Sequence, residues 1–296
     1  MPVKRCKKSV ILFFFVFISA TLGQANWNYA TKGSDWIGTC EKGTIQSPVS
    51  LTWSADSNPY KTKCFMTDYR PATGVSCNLD HRSFVCEGNF GTLYMKDIDG
   101  RAIVYTADQI RFHHKAEHKV NNAEYDLEMQ ISHKTAHTYL EYNQHIAIVS
   151  IFFEGTGGTN SVLEAFDLTD IAVTQKSNLN IDLTSLVNQD THVMPNVLTY
   201  YGSITTPPCT ENVNWLIMTD VHKMSSEQLD FFKERWPGGN NRILQTNNPI
   251  HQSDESSSED DSINGSATLF LVASCLLLYV LIFKPDIFIK YMRNYQ

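Results

Sequence analysis

Between Gln109 and His133 the chain reads QIRFHHKAEHKVNNAEYDLEMQISH, a run dense in imidazoles, carboxylates and amides set among apolar residues. Imidazoles and carboxylates are the side chains that bind metals and move protons near neutral pH. What the run can do depends on which members meet. Its alternation predicts two strands joined by a loop from Lys115 to Tyr125. Side chains two apart on a strand share a face. Gln109, Arg111 and His113 therefore point one way, and Glu128, Gln130 and Ser132 share a face of the second strand. Side by side, the strands would aim Arg111, His113 and Gln130 at one spot and turn His114 and His133 to the opposite face.

Several elements must hold that spot in place. HIAIVSIFFEG, from His145, is a continuous apolar run that fits a strand buried on both faces. Asn160 to Phe166 reads as a short helix, and QKSNLNIDLTSLV, from Gln175, alternates loosely to about Leu186. Ser225 followed by Gln228 is a capping-box pattern that opens a helix over SSEQLDFFKERW. Trp27, Tyr29 and Trp36 form an aromatic N-terminal arm with large area to bury.

These pieces resemble the alpha-type carbonic anhydrases. There the first strand reads Q-F-H-F-H, the loop carries S-E-H-x-V and the second strand reads E-L-H-L-V-H. Here they read QIRFH, AEHKV and EMQISH. Gln46, Ser47 and Pro48 match the family's QSP motif. YYGSITTPPCTENVNW, from Tyr200, matches Y-x-G-S-L-T-T-P-P-C-x-E-x-V-x-W, and NNRILQ, from Asn240, matches N-N-R-x-x-Q. The resemblance covers about residues 27–247. It implies a mainly β (α+β) fold: a central twisted, mostly antiparallel sheet with short peripheral helices and the site in a cone at its centre.

The resemblance also implies a site, and this sequence departs from it. Three histidines hold zinc in the family; the matching positions here are Arg111, His113 and Gln130, and only His113 is retained. Zinc held by neutral ligands lowers the pKa of its bound water from about 15.7 to about 7. A guanidinium stays protonated and has no lone pair to offer, and an amide oxygen is a poor ligand for this metal. No zinc or other cofactor is therefore expected, and no catalytic residue. His81, Glu117 and Thr205 match the proton-shuttle histidine, the gatekeeper's carboxylate partner and the gatekeeper threonine as vestigial positions. Ile148, Thr206 and Trp215 match pocket walls, and Glu128 matches the carboxylate that orients the third zinc histidine. His118 matches a structural histidine. Glu117 or Glu128 is the candidate partner for Arg111, since a buried cation needs one. The loop between Arg111 and Glu117 is several residues shorter than the family pattern.

With 296 residues, 42% of them hydrophobic, the chain can bury a substantial core. A net charge of −7 with no basic stripe argues against nucleic acid as a partner. Residues 1–23 read as a signal peptide, with a basic start, an apolar run from Val10 to Ile18 and a small-residue cleavage site. Residues 24–249 are the expected ectodomain. Residues 250–265, IHQSDESSSEDDSING, are an acidic, serine-rich linker with little to bury, and Asn264 is a candidate glycosylation site. Residues 266–283 carry no charge and suit a short transmembrane helix, followed by a basic tail over 284–296. The expected topology is single-pass type I, with the ectodomain extracellular or lumenal. Cysteines should pair in that compartment. The resemblance implies a Cys40–Cys209 disulfide, whereas Cys64, Cys77 and Cys86 allow one more bridge in any of three pairings.

The reading that follows is a membrane-anchored, carbonic anhydrase-like pseudoenzyme, similar to the catalytically silent members of the family. It would act as a binding or structural module, or as a complex subunit with an unidentified protein partner. Arg111 could turn the old metal position into a pocket for a small anion. The alternative is an active zinc lyase, hydrating carbon dioxide to bicarbonate through altered metal ligation.

Overall fold

The computed structural model describes residues 27–52, 65–96, 102–135, 145–186, 196–246 and 248. The signal, linker, membrane span and tail expected from the sequence lie outside these residues, as do Cys64 and Asn264. Among the described residues no helix is long and apolar enough to cross a membrane.

Twelve strands and three short α-helices are described. The strands are β1 (Ser50–Leu51), β2 (Phe65–Tyr69), β3 (Ala72–Leu79), β4 (Phe84–Glu87), β5 (Gly91–Lys96), β6 (Ala102–His114), β7 (Lys119–Val120), β8 (Leu127–Thr135), β9 (Ile146–Glu154), β10 (Gln175–Ile181), β11 (Val197–Ser203) and β12 (Glu211–Lys223). The helices are α1 (Thr39–Lys42), α2 (Ser161–Glu164) and α3 (Ser226–Arg235). Ten strands join in one mixed sheet, ordered β10-β3-β4-β6-β8-β9-β12-β11, with β5 pairing β6 and β2 beyond the main path. Its neighbours run antiparallel except β9 and β12, which are parallel. β1 and β7 form a separate parallel pair.

Strand alternation divides the interior into two cores. Ile110 and Phe112 of β6, Leu127, Met129 and Ile131 of β8, and Val149 and Ile151 of β9 face the larger one. Phe112 packs there against Phe166 and Phe232, with ring centroids at 4.9 and 5.4 Å. The opposite face carries Ile148 and Phe152 of β9, Tyr200 of β11 and Trp215 of β12, packed with Val49 and Val120. β9 is buried along its length from Ala147 to Phe153 because it lies between both cores. The aromatic arm forms a third cluster in which Tyr29 and Trp36 pack on the Cys40–Cys209 disulfide. A second disulfide joins Cys77 of β3 to Cys86 of β4, which lie directly opposite each other.

Gly202 of β11 shows why the YYGS motif needs a glycine. A Cβ there would lie 2.1 Å from Ser47 Oγ. That hydroxyl accepts hydrogen bonds from the Ser203 N–H at 2.9 Å and the Tyr200 hydroxyl at 2.7 Å. The QSP segment thus docks directly on β11 and brings the arm beside the sheet centre.

Candidate functional site

The register of β6 against β8 builds the site. Arg111 lies opposite Gln130, and His113 lies opposite Glu128. β8 pairs in turn with β9, which sets Gln130 beside Ser150 and Ser132 beside Ile148. Arg111, His113, Glu128, Gln130, Ser150 and Ile148 therefore share one face of the sheet. His114 and His133 are on the other. His133 is wholly buried and meets the Tyr69 hydroxyl at 3.1 Å, and burial lowers its pKa to about 4.

His113 is wholly buried. Its Nδ1 lies 2.8 Å from the Asn240 carbonyl oxygen and 3.4 Å from Glu117 Oε1. A carbonyl can only accept, so Nδ1 carries a proton and donates to it. The Nε2 atom is buried and has no hydrogen-bond partner among the described residues. The Tyr29 ring stands edge-on to it, with centroids 6.4 Å apart, and the Tyr29 hydroxyl also lacks a partner among the described residues. Burial, then the negative charge of Glu117, holds the Tyr29 pKa well above its ordinary value, against the opposing pull of Arg111.

A network of buried polar groups lies beside this ring. Gln130 Nε2 donates to Glu117 Oε2 at 2.9 Å and to Glu128 Oε1 at 3.0 Å. The other oxygen of Glu117 accepts the Arg242 backbone N–H at 2.8 Å. Glu128 accepts from the backbone N–H groups of Glu117 and His118, from Ser150 Oγ and from His118 Nδ1, the last at 2.8 Å. Burial alone would raise the Glu128 pKa. The His118 ring and these donors outweigh it and hold the carboxylate well below its usual range. His118 is anchored at its other nitrogen by the Tyr200 hydroxyl at 2.6 Å, which gives it a structural place between β8 and β11.

One sequence expectation needs correction. Neither Glu117 nor Glu128 pairs with Arg111: among the described residues no carboxylate lies within 4.0 Å of its guanidinium. Arg111 is half-buried, and both carboxylates are engaged by Gln130, His118 and backbone donors. Glu117, which matches the gatekeeper's partner, accepts from the Gln130 amide and the Arg242 N–H. Thr205, Thr206, Ile148 and Trp215 are buried. Trp215 Nε1 donates to the Ser203 carbonyl at 3.0 Å. His81 is exposed, and its carbonyl accepts the Trp236 indole N–H at 3.1 Å. Sequence reasoning placed Tyr29 in the core and gave it no part in the site. Its position in the W-x-Y arm was visible, but the unsatisfied hydroxyl was not.

These residues do not fit the zinc that the matching fold implies. One imidazole nitrogen faces the site, the Gln130 amide nitrogen is turned into two carboxylates, and Arg111 brings a permanent cation. Among the described residues no group of three His, Cys, Asp or Glu side chains is placed to hold a metal ion.

The eukaryotic-type carbonic anhydrase model matches residues 22–253. The chain is 28% identical over 218 residues to dioscorin dioA3 of Dioscorea japonica, across 72% of this chain and 73% of that protein. It is 27% identical over 271 residues to human carbonic anhydrase 6, across 82% and 84% of the two chains. A crystal structure of dioscorin complexed with ascorbate superposes with a TM-score of 0.56 at 25% identity, covering 72% of this chain and 86% of the other. The family model thus spans all the strands that build the site, and the chain belongs to the eukaryotic-type carbonic anhydrase family.

Proposed function

We propose that this protein is a non-catalytic member of its family, a binding module whose former metal position serves recognition. One observation carries the reading: the Gln130 amide nitrogen, at the third ligand position, donates to Glu117 and Glu128. Those carboxylates would otherwise support a zinc ligand and a metal-bound hydroxide. With Arg111 at the first position, the site has exchanged a metal-binding donor set for hydrogen-bond donors and a cation. Relatives support a range of roles for the fold, since one of them, dioscorin, has been crystallised with ascorbate.

The two disulfides mark a protein made in an oxidising compartment. With the apolar run over 266–283, they support display on a membrane of the secretory pathway, ectodomain outward. In that setting the partner is a protein or a small anion, the latter held at Arg111.

Zinc stoichiometry of the purified full-length protein tests the reading. The wild type should carry no zinc, and Arg111→His with Gln130→His should carry about one per chain, since the double variant restores three imidazoles. The competing reading is a zinc lyase with rearranged ligands, and it draws on the retained His113, whose Nε2 has no hydrogen-bond partner among the described residues. One zinc per wild-type chain would sink our proposal and call for an assay of carbon dioxide hydration.

A further inference from the structure

The short loop between Arg111 and Glu117 borders an open cavity of about 780 Å³. His114, Lys115 and Glu117 line one side of it, and the chain from Pro237 to Leu244 lines the other. Its lining is cationic although the chain carries a net charge of −7. Lys32, Lys115, Lys119, Lys233 and Arg242 stand against Glu117, Glu124 and Asp126, an excess of two positive charges. Most of these groups already have partners. Lys119 pairs with Glu124 at 2.6 Å and Lys233 with Asp230 at 3.3 Å. The Arg242 guanidinium is turned into the N-terminal arm, Glu117 is held by Gln130 and the Arg242 N–H, and Asp126 accepts the Gly155 N–H at 2.9 Å.

Lys32 and Lys115 are the exceptions: neither meets a carboxylate among the described residues. Lys32 Nζ donates to the carbonyls of Gly238 and Gly239 and, at 2.7 Å, to Asn241 Oδ1. Those bonds use its three N–H groups and fix its charge in place. Lys115 is exposed and has no hydrogen bond or ion pair among the described residues. The two are neighbours in space. A Cβ at Gly239 would lie 3.0 Å from Lys32 Nζ and 2.7 Å from the His114 carbonyl oxygen, which directly precedes the Lys115 nitrogen. Burial, then the charge of Lys115, lowers the Lys32 pKa. Burial also lowers that of His114, and Lys115 and Lys233 add to it against the pull of Asp126. Like charges gathered at one cavity repel, and a bound anion relieves that repulsion.

We infer that this cavity is a binding site for a small phosphate monoester, with the phosphate beside Lys115 and Lys32 and the organic part against the apolar wall. An ammonium is a compact point charge with rotatable donors and binds phosphate in that way, whereas a carboxylate is better matched by the paired donors of a guanidinium. Lys115 supplies the donors and Lys32 the fixed field. Lys233 is half-exposed and its pair with Asp230 is a weak surface contact, so it can turn to the same anion. Two cations without carboxylates suit a dianion. The cavity far exceeds a phosphate group, and Pro237 and Ile243 line the remainder. Ile243 is 46% exposed, an apolar surface open to the organic part of an ester. The site is separate from Arg111, and the inference stands whether or not the former metal position holds zinc.

The test is calorimetric titration of the full-length protein with phenyl phosphate and with benzenesulfonate, at one ionic strength and a pH of about 7.5, where the phosphate ester is a dianion. The probes share a ring, but the first carries two charges and the second one. Phenyl phosphate should bind at least about tenfold more tightly. Lys115→Gln should weaken it at least about fivefold and Lys233→Gln by less, with melting curves to establish that each variant is folded. Arg111→Met should keep the site, which separates it from the former metal position. Equal binding of the two probes, no binding, or a Lys115→Gln protein that binds phenyl phosphate like the wild type overturns the inference. Loss of the site in Arg111→Met overturns it too, because the anion would then sit at the former metal position. None of these results alters the zinc measurement that tests the proposed function.

Discussion

His133 is an ionisable ring shut away from water on the core side of β8. Burial lowers its pKa from 6.5 to about 4. The unfolded chain takes up a proton below about 6.5, and the folded chain only near 4. The neutral ring's contribution is therefore complete above the unfolded value and is lost as pH falls through this window. At about 1.36 kcal/mol per unit, the loss amounts to roughly 3 kcal/mol. Denaturant unfolding at pH 7 and again near pH 4 measures it. His133→Gln, which keeps a polar partner for Tyr69, should show a smaller drop by about that amount. Equal drops in both proteins would refute the assignment. At the same scale the sequence already carried the substitutions of the metal ligands, because residue identity alone decides whether a side chain has a lone pair. It could not reveal that Arg111 has no carboxylate partner among the described residues. Both carboxylates instead accept from Gln130, an outcome of three-dimensional packing.

At the scale of elements, α2 and α3 are capped as a pair. Ser225 Oγ accepts the Gln228 N–H, and Gln228 Oε1 accepts the Ser225 N–H, closing the capping box. The same Gln228 side chain accepts the Asn160 N–H at 2.9 Å and donates to the Asn160 carbonyl at 2.9 Å. Asn160 in turn caps α2 with its own side chain. Ser225→Ala removes one local bond and should cost about 1 kcal/mol. Gln228→Ala also removes the link between helices and should cost about 2 kcal/mol. Urea midpoints for the two variants test the order, and a Ser225→Ala loss as large as that of Gln228→Ala would show that the link adds nothing. The box was legible in the sequence because both partners lie within one turn. So were the hairpin strands β6 and β8 and the buried strand β9, each written as a local pattern. The parallel pairing of β9 with β12 was not. It joins segments some 70 residues apart, and no local signal specifies a register of that span.

Across the whole molecule, the N-terminal arm and the last described residues hold each other. Cys40 and Cys209 are joined across 169 residues of chain. The buried Arg242 guanidinium donates to the carbonyls of Cys40 and Ser47 and to Gln46 Oε1. The backbone N–H groups of Ile243 and Gln245 bond the carbonyls of Lys32 and Pro48. Cys209→Ser should cost about 2–4 kcal/mol, the usual return for closing a long loop. The loss should fall alike on wild-type and Arg111→Met backgrounds, since the bridge acts on the whole domain; thermal melts of the four proteins would show it. The interlock between the arm and Arg242 also imposes a timetable on synthesis. Residues 28–48 are made early but find their partners in β11, Cys209 and Arg242 only when those later segments have left the ribosome. Until Cys209 emerges Cys40 remains a free thiol. Nascent chains halted before Cys209 would be open to alkylation at Cys40, and chains released past Gln245 would be closed to it.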